Sequence, residues 1–185
     1  KYRTATFDYL QAFIDAGKKV GLDVYASINT MIGGCICKNA WYDLGPDGFI
    51  FDDPAKKSWA SVVNTTDGLK SCLDINEGGA KFLNPANDEV VAYLLNLLSD
   101  LAEYDLTGII LDRCRYDDYG FGSDFSEISR SKFEEFIGQT VENWPDDIFA
   151  PGVTQLTGNG TELQKKWMSF RAKMIHDFIE SASDR

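Results

Sequence analysis

The fold prediction starts from one short stretch, TGIILD, which runs from Thr107 to Asp112. Consecutive apolar residues in this stretch lead directly into a single charged residue. A short run that is apolar at successive positions is typical of a parallel strand buried on both faces. We therefore predict a buried parallel strand that ends at Asp112.

The segments on either side of this stretch alternate between helical and extended patterns. Apolar residues recur at helical spacing in the helices, and β-branched and aromatic residues fill the strands. The predicted elements are a helix over 7–16, a strand over 22–29, a helix capped by Asn87, the strand over 107–112, a helix opened by Ser126 or Ser129, and a helix over 161–183. This alternation indicates an α/β fold with a parallel sheet and right-handed crossovers.

The segment from 30 to about 82 is dominated by turn signals such as Gly33-Gly34, Gly45-Pro46 and Asp67-Gly68. We interpret it as an elaborated loop above a barrel strand, in which 59–63 and 81–83 could be short strands and a small hairpin could form. Two predicted strands do not make a domain, so either the missing strands lie in this segment or the chain is part of a larger sheet. We favour the second alternative. The prediction is a central part of a (β/α)8 TIM barrel, one domain over 1–185 with a long loop insertion over about 30–82.

Composition limits the classes of partner. The net charge is −11, which repels phosphate backbones, argues against nucleic acid or an anionic membrane surface, and suits a neutral or cationic substrate. The alternative is that the acidic surface simply keeps the protein in solution. No stretch approaches the roughly 20 apolar residues that a membrane span needs. Lys1 leads into a helical pattern without a signal segment, so we expect the chain to come from inside a longer protein.

Neither a metal nor a cofactor is expected. Cys35 and Cys37 form a C-x-C pair that lacks the usual spacing of zinc sites, and His176 is the one histidine. With Cys72 and Cys114 they leave two alternatives, namely free cysteines or one disulfide.

Asp112 is the sharpest candidate for a catalytic residue. The carboxyl ends of parallel strands are where α/β enzymes place their sites. Arg113 and Arg115 follow at once, and a guanidinium nearby would keep the carboxylate ionised, as a retaining glycosidase nucleophile must be. The structural alternative is that Asp112 pairs with an arginine to fix the loop, or caps a turn.

Further candidates lie in the predicted loops around the two strand ends. Asn29 ends the earlier strand, so we expect it on the same rim as Asp112, where it could bind a sugar hydroxyl or cap the loop. Asp117 and Asp118 could supply a general acid or a calcium ligand, but acidic loops are more often simply solvated. Aromatic rings that could stack on sugars, or anchor loops to the body, are Trp41, Tyr42, Trp59, Tyr116, Tyr119 and Phe121. Trp167 and Phe170 lie on one helix face and are expected in the core.

Several of these stretches together resemble the glycosyl-hydrolase-like family ten barrels, which are related to the α-amylase-type glycoside hydrolases. The stretches that carry the resemblance are Phe82–Ala86, Gly108–Arg113 with Arg115-Tyr116, Gly21–Asn29, and Asp124–Ser126 with Ser129, Arg130 and Phe133. The last of these stretches also looks like versions of the family from gut and environmental Bacteroidetes. One departure is Ile110, where α-amylases carry an arginine.

The resemblance implies a secreted, periplasmic or cell-surface protein that holds barrel strands three and four. It implies that Asp112 is the nucleophile or its remnant, with the acid/base residue on a later strand outside this chain. The predicted function is hydrolysis of O-glycosyl bonds in a poly- or oligosaccharide. The predicted substrate-binding residues are Asn29, Arg113, Arg115, Tyr116, Asp117 and Trp41. The alternatives are a noncatalytic carbohydrate-binding barrel protein, or a piece without a function of its own.

Overall fold

The fold is described from a computed structural model, which covers residues 7–38, 41, 43–76 and 79–184. The helices are α1 Tyr9–Val20, α2 Phe49–Asp52, α3 Asp88–Ala102, α4 Glu127–Ile137 and α5 Glu162–Ser183, with 3-10 helices at Pro54–Trp59 and Gly120–Gly122. The strands are β1 Tyr25–Asn29, β2 Ile32–Lys38, β3 Asp43–Asp47, β4 Val62–Thr65, β5 Gly68–Ser71, β6 Gly79–Phe82 and β7 Gly108–Asp112.

The prediction of a (β/α)8 TIM barrel is wrong. The described strands form three small sheets and no closed barrel: a parallel pair β1-β7, an antiparallel sheet in the order β3-β2-β6, and an antiparallel hairpin β4-β5. The missing strands lie in the segment that the sequence presented as a loop. Short strands closed by tight turns, such as the Asp67-Gly68 turn between β4 and β5, pair antiparallel with their neighbours and need no helical crossovers.

The parallel strand through Leu111 exists as predicted, but it is not buried on both faces. Ile109 and Leu111 pack against the core, whereas Ile110 is 52% exposed and Asp112 is exposed. β1 shows the same alternation, with exposed side chains at Tyr25, Ser27 and Asn29. The parallel pair therefore buries one face and leaves the other open.

The predicted helix starts are confirmed. The Asn87 side chain accepts a hydrogen bond from the Glu89 N–H at 2.9 Å and opens α3. Ser126 does the same for Ser129 at the start of α4. Thr161 and Gln164 form a reciprocal capping box before α5. Side-chain caps of this kind satisfy backbone donors that have no partner within the helix, which is why these starts could be predicted.

Two hydrophobic clusters make up the core. The first surrounds α3 and the sheets and includes Met31, Ile50, Val63, Leu83, Val90 and Leu94. The second is aromatic and includes Phe125, Phe133, Phe149, Trp167 and Phe170, which confirms the core prediction for Trp167 and Phe170. Helix α5 contributes to both clusters because Phe178 packs in the first.

Cys35 and Cys37 are joined by a disulfide within β2, while Cys72 is free and buried and Cys114 is free and half-buried. Burial raises the pKa of the Cys72 thiol to about 12. None of the helices in the described ranges is long and apolar enough to cross a membrane.

Candidate functional site

The open face of the β1-β7 pair holds two of the predicted site residues side by side. Asn29 and Asp112 are register partners at the carboxyl ends of the two strands, and the Thr30 N–H continues the pairing to the Asp112 carbonyl oxygen at 2.8 Å. We call this surface the open sheet face; its residues are Tyr25, Ser27, Asn29, Gly108, Ile110 and Asp112.

The Tyr25 ring lies across Gly108 on this face. A β-carbon added at Gly108 would come within 3.0 Å of the ring atom Cε1 and 3.2 Å of Cδ1, closer than ordinary contact. Tyr25 is nevertheless 53% exposed. The absence of a side chain at Gly108 thus leaves room for the exposed Tyr25 ring beside it.

The two arginines after Asp112 have different contacts. The Arg113 backbone N–H donates to Asp112 Oδ1 at 2.8 Å, and Arg113 adopts a positive φ of 50°. The Arg115 guanidinium forms its ion pair with Asp118 at 2.8 Å and donates to the Tyr116 carbonyl oxygen at 3.0 Å. The Asp112 carboxylate is therefore oriented by the backbone turn that follows it.

A groove of about 650 Å³ lies between the loop 114–121 and α5. Its lining includes the predicted site residues Arg115, Tyr116 and Asp117, together with Arg171 and His176 of α5. The Arg171 guanidinium carbon lies 4.1 Å from the centre of the Tyr116 ring, so the ring is covered by a cation on this side. Burial raises the pKa of the Tyr116 hydroxyl.

Asp117 is 6% exposed and holds the loop rather than projecting from it. Its Oδ2 accepts a hydrogen bond from the Ser61 hydroxyl at 2.8 Å, and its Oδ1 accepts from the Ser123 hydroxyl at 2.6 Å and the Tyr119 N–H at 3.0 Å. Burial raises the pKa of this carboxyl in spite of these bonds. The loop is thereby tied to the segment before β4.

Asp124 was not predicted, although it is the most deeply buried acid in this region. Its Oδ2 accepts hydrogen bonds from the Ser126 and Ser129 hydroxyls at 2.9 and 2.7 Å, and its Oδ1 accepts from the Val62 N–H. Burial raises the pKa of Asp124 to about 6, because these bonds only partly offset the loss of water.

Arg171 is a buried cation whose charge acts on this network, and it was also missed. Its Nη2 donates to the Gly120 carbonyl oxygen at 2.8 Å, and its charge favours ionisation of Asp117. A signal was present in the sequence. Arg171 follows Trp167 by four positions, which puts a charged residue on the apolar face of a helix.

Of the side chains in the described ranges, His176, Asp177 and Glu180 on α5 could together hold a metal ion. Their ligand atoms lie within 4.8 Å of one another. The Asp177 carboxylate already forms an ion pair with Lys173 at 2.7 Å, so a metal would have to displace that lysine.

The remaining predicted aromatics are not gathered at one place. Trp59 is buried in the first cluster, and Tyr119 and Phe121 pack against the core. These three rings therefore anchor their segments to the core. Anchoring was the alternative to sugar stacking for each of them. Trp41 is 93% exposed, and Tyr42 lies outside the described residues.

Comparison with known proteins gives one sequence relative and one weak structural likeness. An S-layer-related protein of Niallia circulans is 34% identical over 190 residues, a match that covers 96% of this chain and 11% of the relative. This chain thus spans about a tenth of the relative's length. No protein-family model matches.

The structural likeness is to the crystal structure of beta-galactosidase from Bacillus circulans sp. alkalophilus. It covers 96% of this chain and 32% of that chain, with a TM-score of 0.43 and 14% identity. A likeness of this size does not establish a shared fold.

Proposed function

We propose that this chain is a carbohydrate-binding unit of a cell-surface protein and that the glycan lies along the open sheet face. One observation carries the proposal. The register of β1 and β7 brings the exposed Asn29 amide beside the exposed Asp112 carboxylate, on the same face as the exposed Tyr25 ring.

This combination of groups matches the chemistry of sugars. The C–H face of a pyranose packs on an aromatic ring, and its hydroxyls require directional donors and acceptors. The Asn29 amide can donate and accept, and the Asp112 carboxylate accepts. Tyr25 supplies the ring, which lies close to Gly108 of the neighbouring strand.

The spacing on the sheet favours an oligosaccharide over a single sugar. Neighbouring strands lie about 4.8 Å apart, so Asn29 and Asp112 can bind adjacent hydroxyls of one sugar unit. Tyr25 is four residues before Asn29, or about 13 Å along the strand. The ring would therefore contact a different unit of the same chain.

Two further observations agree with a cell-surface glycan. A net charge of −11 suits a neutral or cationic ligand better than an anionic one. The relative that covers nearly the whole chain is described as S-layer-related. Arg113, Arg115 and Tyr116 would add contacts from the adjoining loop, Trp41 is a further exposed ring, and Asp117 would act through the loop that it holds.

Hydrolysis of an O-glycosyl bond at Asp112 is the second candidate function. It is favoured by the position of an exposed carboxylate at a strand end beside an amide. A retaining mechanism would need a second carboxyl about 5–5.5 Å away, and an inverting mechanism one at about 6.5–9.5 Å. Glycan binding without release of new reducing ends would favour the binding proposal over hydrolysis.

The test is titration of a panel of neutral and amino-sugar oligosaccharides by calorimetry, with assay of new reducing ends in the same samples. We expect Tyr25→Ala to weaken binding about tenfold, the effect of losing one stacking ring. Tyr9→Ala is the matched control, since Tyr9 is exposed on α1. Asp112→Asn is paired with Asp100→Asn, an exposed acid on α3.

Equal affinities for the Tyr25 and Tyr9 variants, or no binding to any sugar, would contradict the binding proposal. Release of reducing ends that stops in Asp112→Asn but continues in Asp100→Asn would favour the hydrolase.

A further inference from the structure

The Lys56 ammonium is enclosed by three aromatic rings. Its Nζ lies 5.5 Å from the centre of the Phe49 ring, 5.3 Å from that of Trp59 and 5.0 Å from that of Tyr93. Distances within about 6 Å bring a cation into the negative potential of a ring face. We call this arrangement the aromatic cage; its walls are Phe49, Trp59 and Tyr93.

The walls are held in place without help from Lys56. The three ring centres lie 5.3–6.4 Å from one another, so each ring packs on the other two. Trp59 belongs to the first core cluster, and Phe49 and Tyr93 pack against it. The Trp59 indole N–H donates to Glu89 Oε2 at 2.7 Å, which fixes the ring plane. The cage should therefore persist when the lysine side chain leaves.

The lysine itself is held less firmly than the walls. Its ion pair with Asp53 is local, three residues apart, with a distance of 3.5 Å. Its side chain is 26% exposed, so water reaches it. A lysine ammonium is also strongly hydrated, whereas a quaternary ammonium loses little hydration on entering an aromatic site.

We propose that the aromatic cage is a binding site for an organic ammonium group of the quaternary alkylammonium class, and that Lys56 is its resident occupant, which the ligand displaces. Asp53 and Glu89 supply negative charge beside the rings. This site uses none of the residues of the open sheet face, so it is independent of the proposed glycan binding.

Titration with tetramethylammonium chloride against sodium chloride of equal ionic strength tests the proposal, with chemical shifts of the ring protons as the readout. The proteins are wild type, Lys56→Ala, Lys56→Gln and the control Lys57→Ala, an exposed neighbour. We expect weak binding to wild type and about tenfold tighter binding to both Lys56 variants, since each removes the competing cation. Lys57→Ala should bind as wild type does.

Adding Tyr93→Leu to Lys56→Ala should abolish binding, because one wall loses its π face while its apolar bulk is largely kept. Equal affinity of the Lys56 and Lys57 variants, or no binding to wild type, would overturn the proposal. Unchanged affinity in the Tyr93 double variant would do so too.

Discussion

Asp112 and Asp124 lie close together in the chain, but Asp112 is exposed to solvent and Asp124 is buried. Asp112 is exposed at the end of β7, where one backbone N–H orients it. Asp124 is fully buried among the Ser126 and Ser129 hydroxyls and the Val62 N–H, and burial raises its pKa to about 6. The difference in burial depends on whether another segment packs over the carboxylate. β4 and the start of α4 enclose Asp124, and the open sheet face leaves Asp112 to solvent.

This contrast indicates different roles for the two acids. A carboxylate that is exposed to solvent, as Asp112 is, can contact a ligand. A buried carboxylate that accepts three hydrogen bonds ties segments together, and its charge is costly unless those bonds are kept. Asp117 belongs with Asp124 in this respect, since it joins the loop 114–121 to Ser61.

The largest expected effect comes from truncating the two acids in parallel. Asp124→Ala should lower the free energy of unfolding by about 3 kcal/mol, because the Val62 N–H and two serine hydroxyls lose their acceptor. Asp112→Ala should change it by less than about 0.5 kcal/mol, as is usual at the surface. Urea unfolding at pH 7 measures both. Equal losses in the two variants would remove the contrast between the sites.

The titration of Asp124 should make the free energy of unfolding depend on pH. The pKa is raised in the folded protein, so the contribution of this group is full below its usual pKa of about 4 and is lost as the pH rises through about 6. The contribution of Asp124 to the free energy of unfolding should fall by about 3 kcal/mol over this range, because a pKa difference of one between folded and unfolded protein corresponds to about 1.4 kcal/mol.

Asp124→Asn removes this titration, so the difference in stability between wild type and variant should change between about pH 4 and pH 7 and be constant above that range. Urea unfolding of both proteins across this range measures the difference. Parallel curves for wild type and Asp124→Asn would mean that Asp124 titrates normally.

Arg171→Met tests the cation that faces the buried network. The variant loses the hydrogen bond to the Gly120 carbonyl oxygen and the cation over the Tyr116 ring, so we expect a loss of about 2 kcal/mol at pH 7. The loss should shrink at pH 4, where Asp124 is protonated. Thermal unfolding at both pH values reads this out, with Lys173→Met as an exposed control on the same helix. A loss that is equal at both pH values would show that Arg171 does not interact with the charge of the buried acids.

The smallest effect is expected at the exposed pair of Arg115 and Asp118. Asp118→Ala should cost at most about 0.5 kcal/mol, and salt should reduce that cost, since exposed ion pairs are weak and screened. Unfolding at low and high ionic strength measures it. A cost above about 1 kcal/mol that salt does not reduce would contradict this prediction, because it would mean that the ion pair is shielded from solvent.

Much of the local structure followed from the sequence. Asn87, Ser126 and Thr161 cap helices through their own side chains, and the strand through Leu111 follows from consecutive apolar residues. The pairing of Asn29 with Asp112 agrees with the expectation that the two strand ends share a rim. Their roles in binding or catalysis stay predictions.

In the segment between 32 and 82 the sequence indicated short strands only at 59–63 and 81–83, which overlap β4 and β6, and it could not reveal the other strands or how they pair. Strands such as β3 and β5 are short and carry glycine, proline or lysine, so no apolar periodicity marks them, and their turn signals resemble those of a loop. The aromatic cage could not be predicted either, because its three walls come from separate elements, namely α2, a 3-10 helix and α3.

The sequence by itself determined where helices begin, which helix faces are apolar, and that a strand ends at Asp112, because these depend on neighbouring residues and short-range hydrogen bonds. Only the tertiary structure decided which acids are buried, which face of the parallel pair stays open, and which rings surround Lys56. Burial and ring contacts depend on segments that are distant in the chain, and their packing is fixed by the free energy of the whole core.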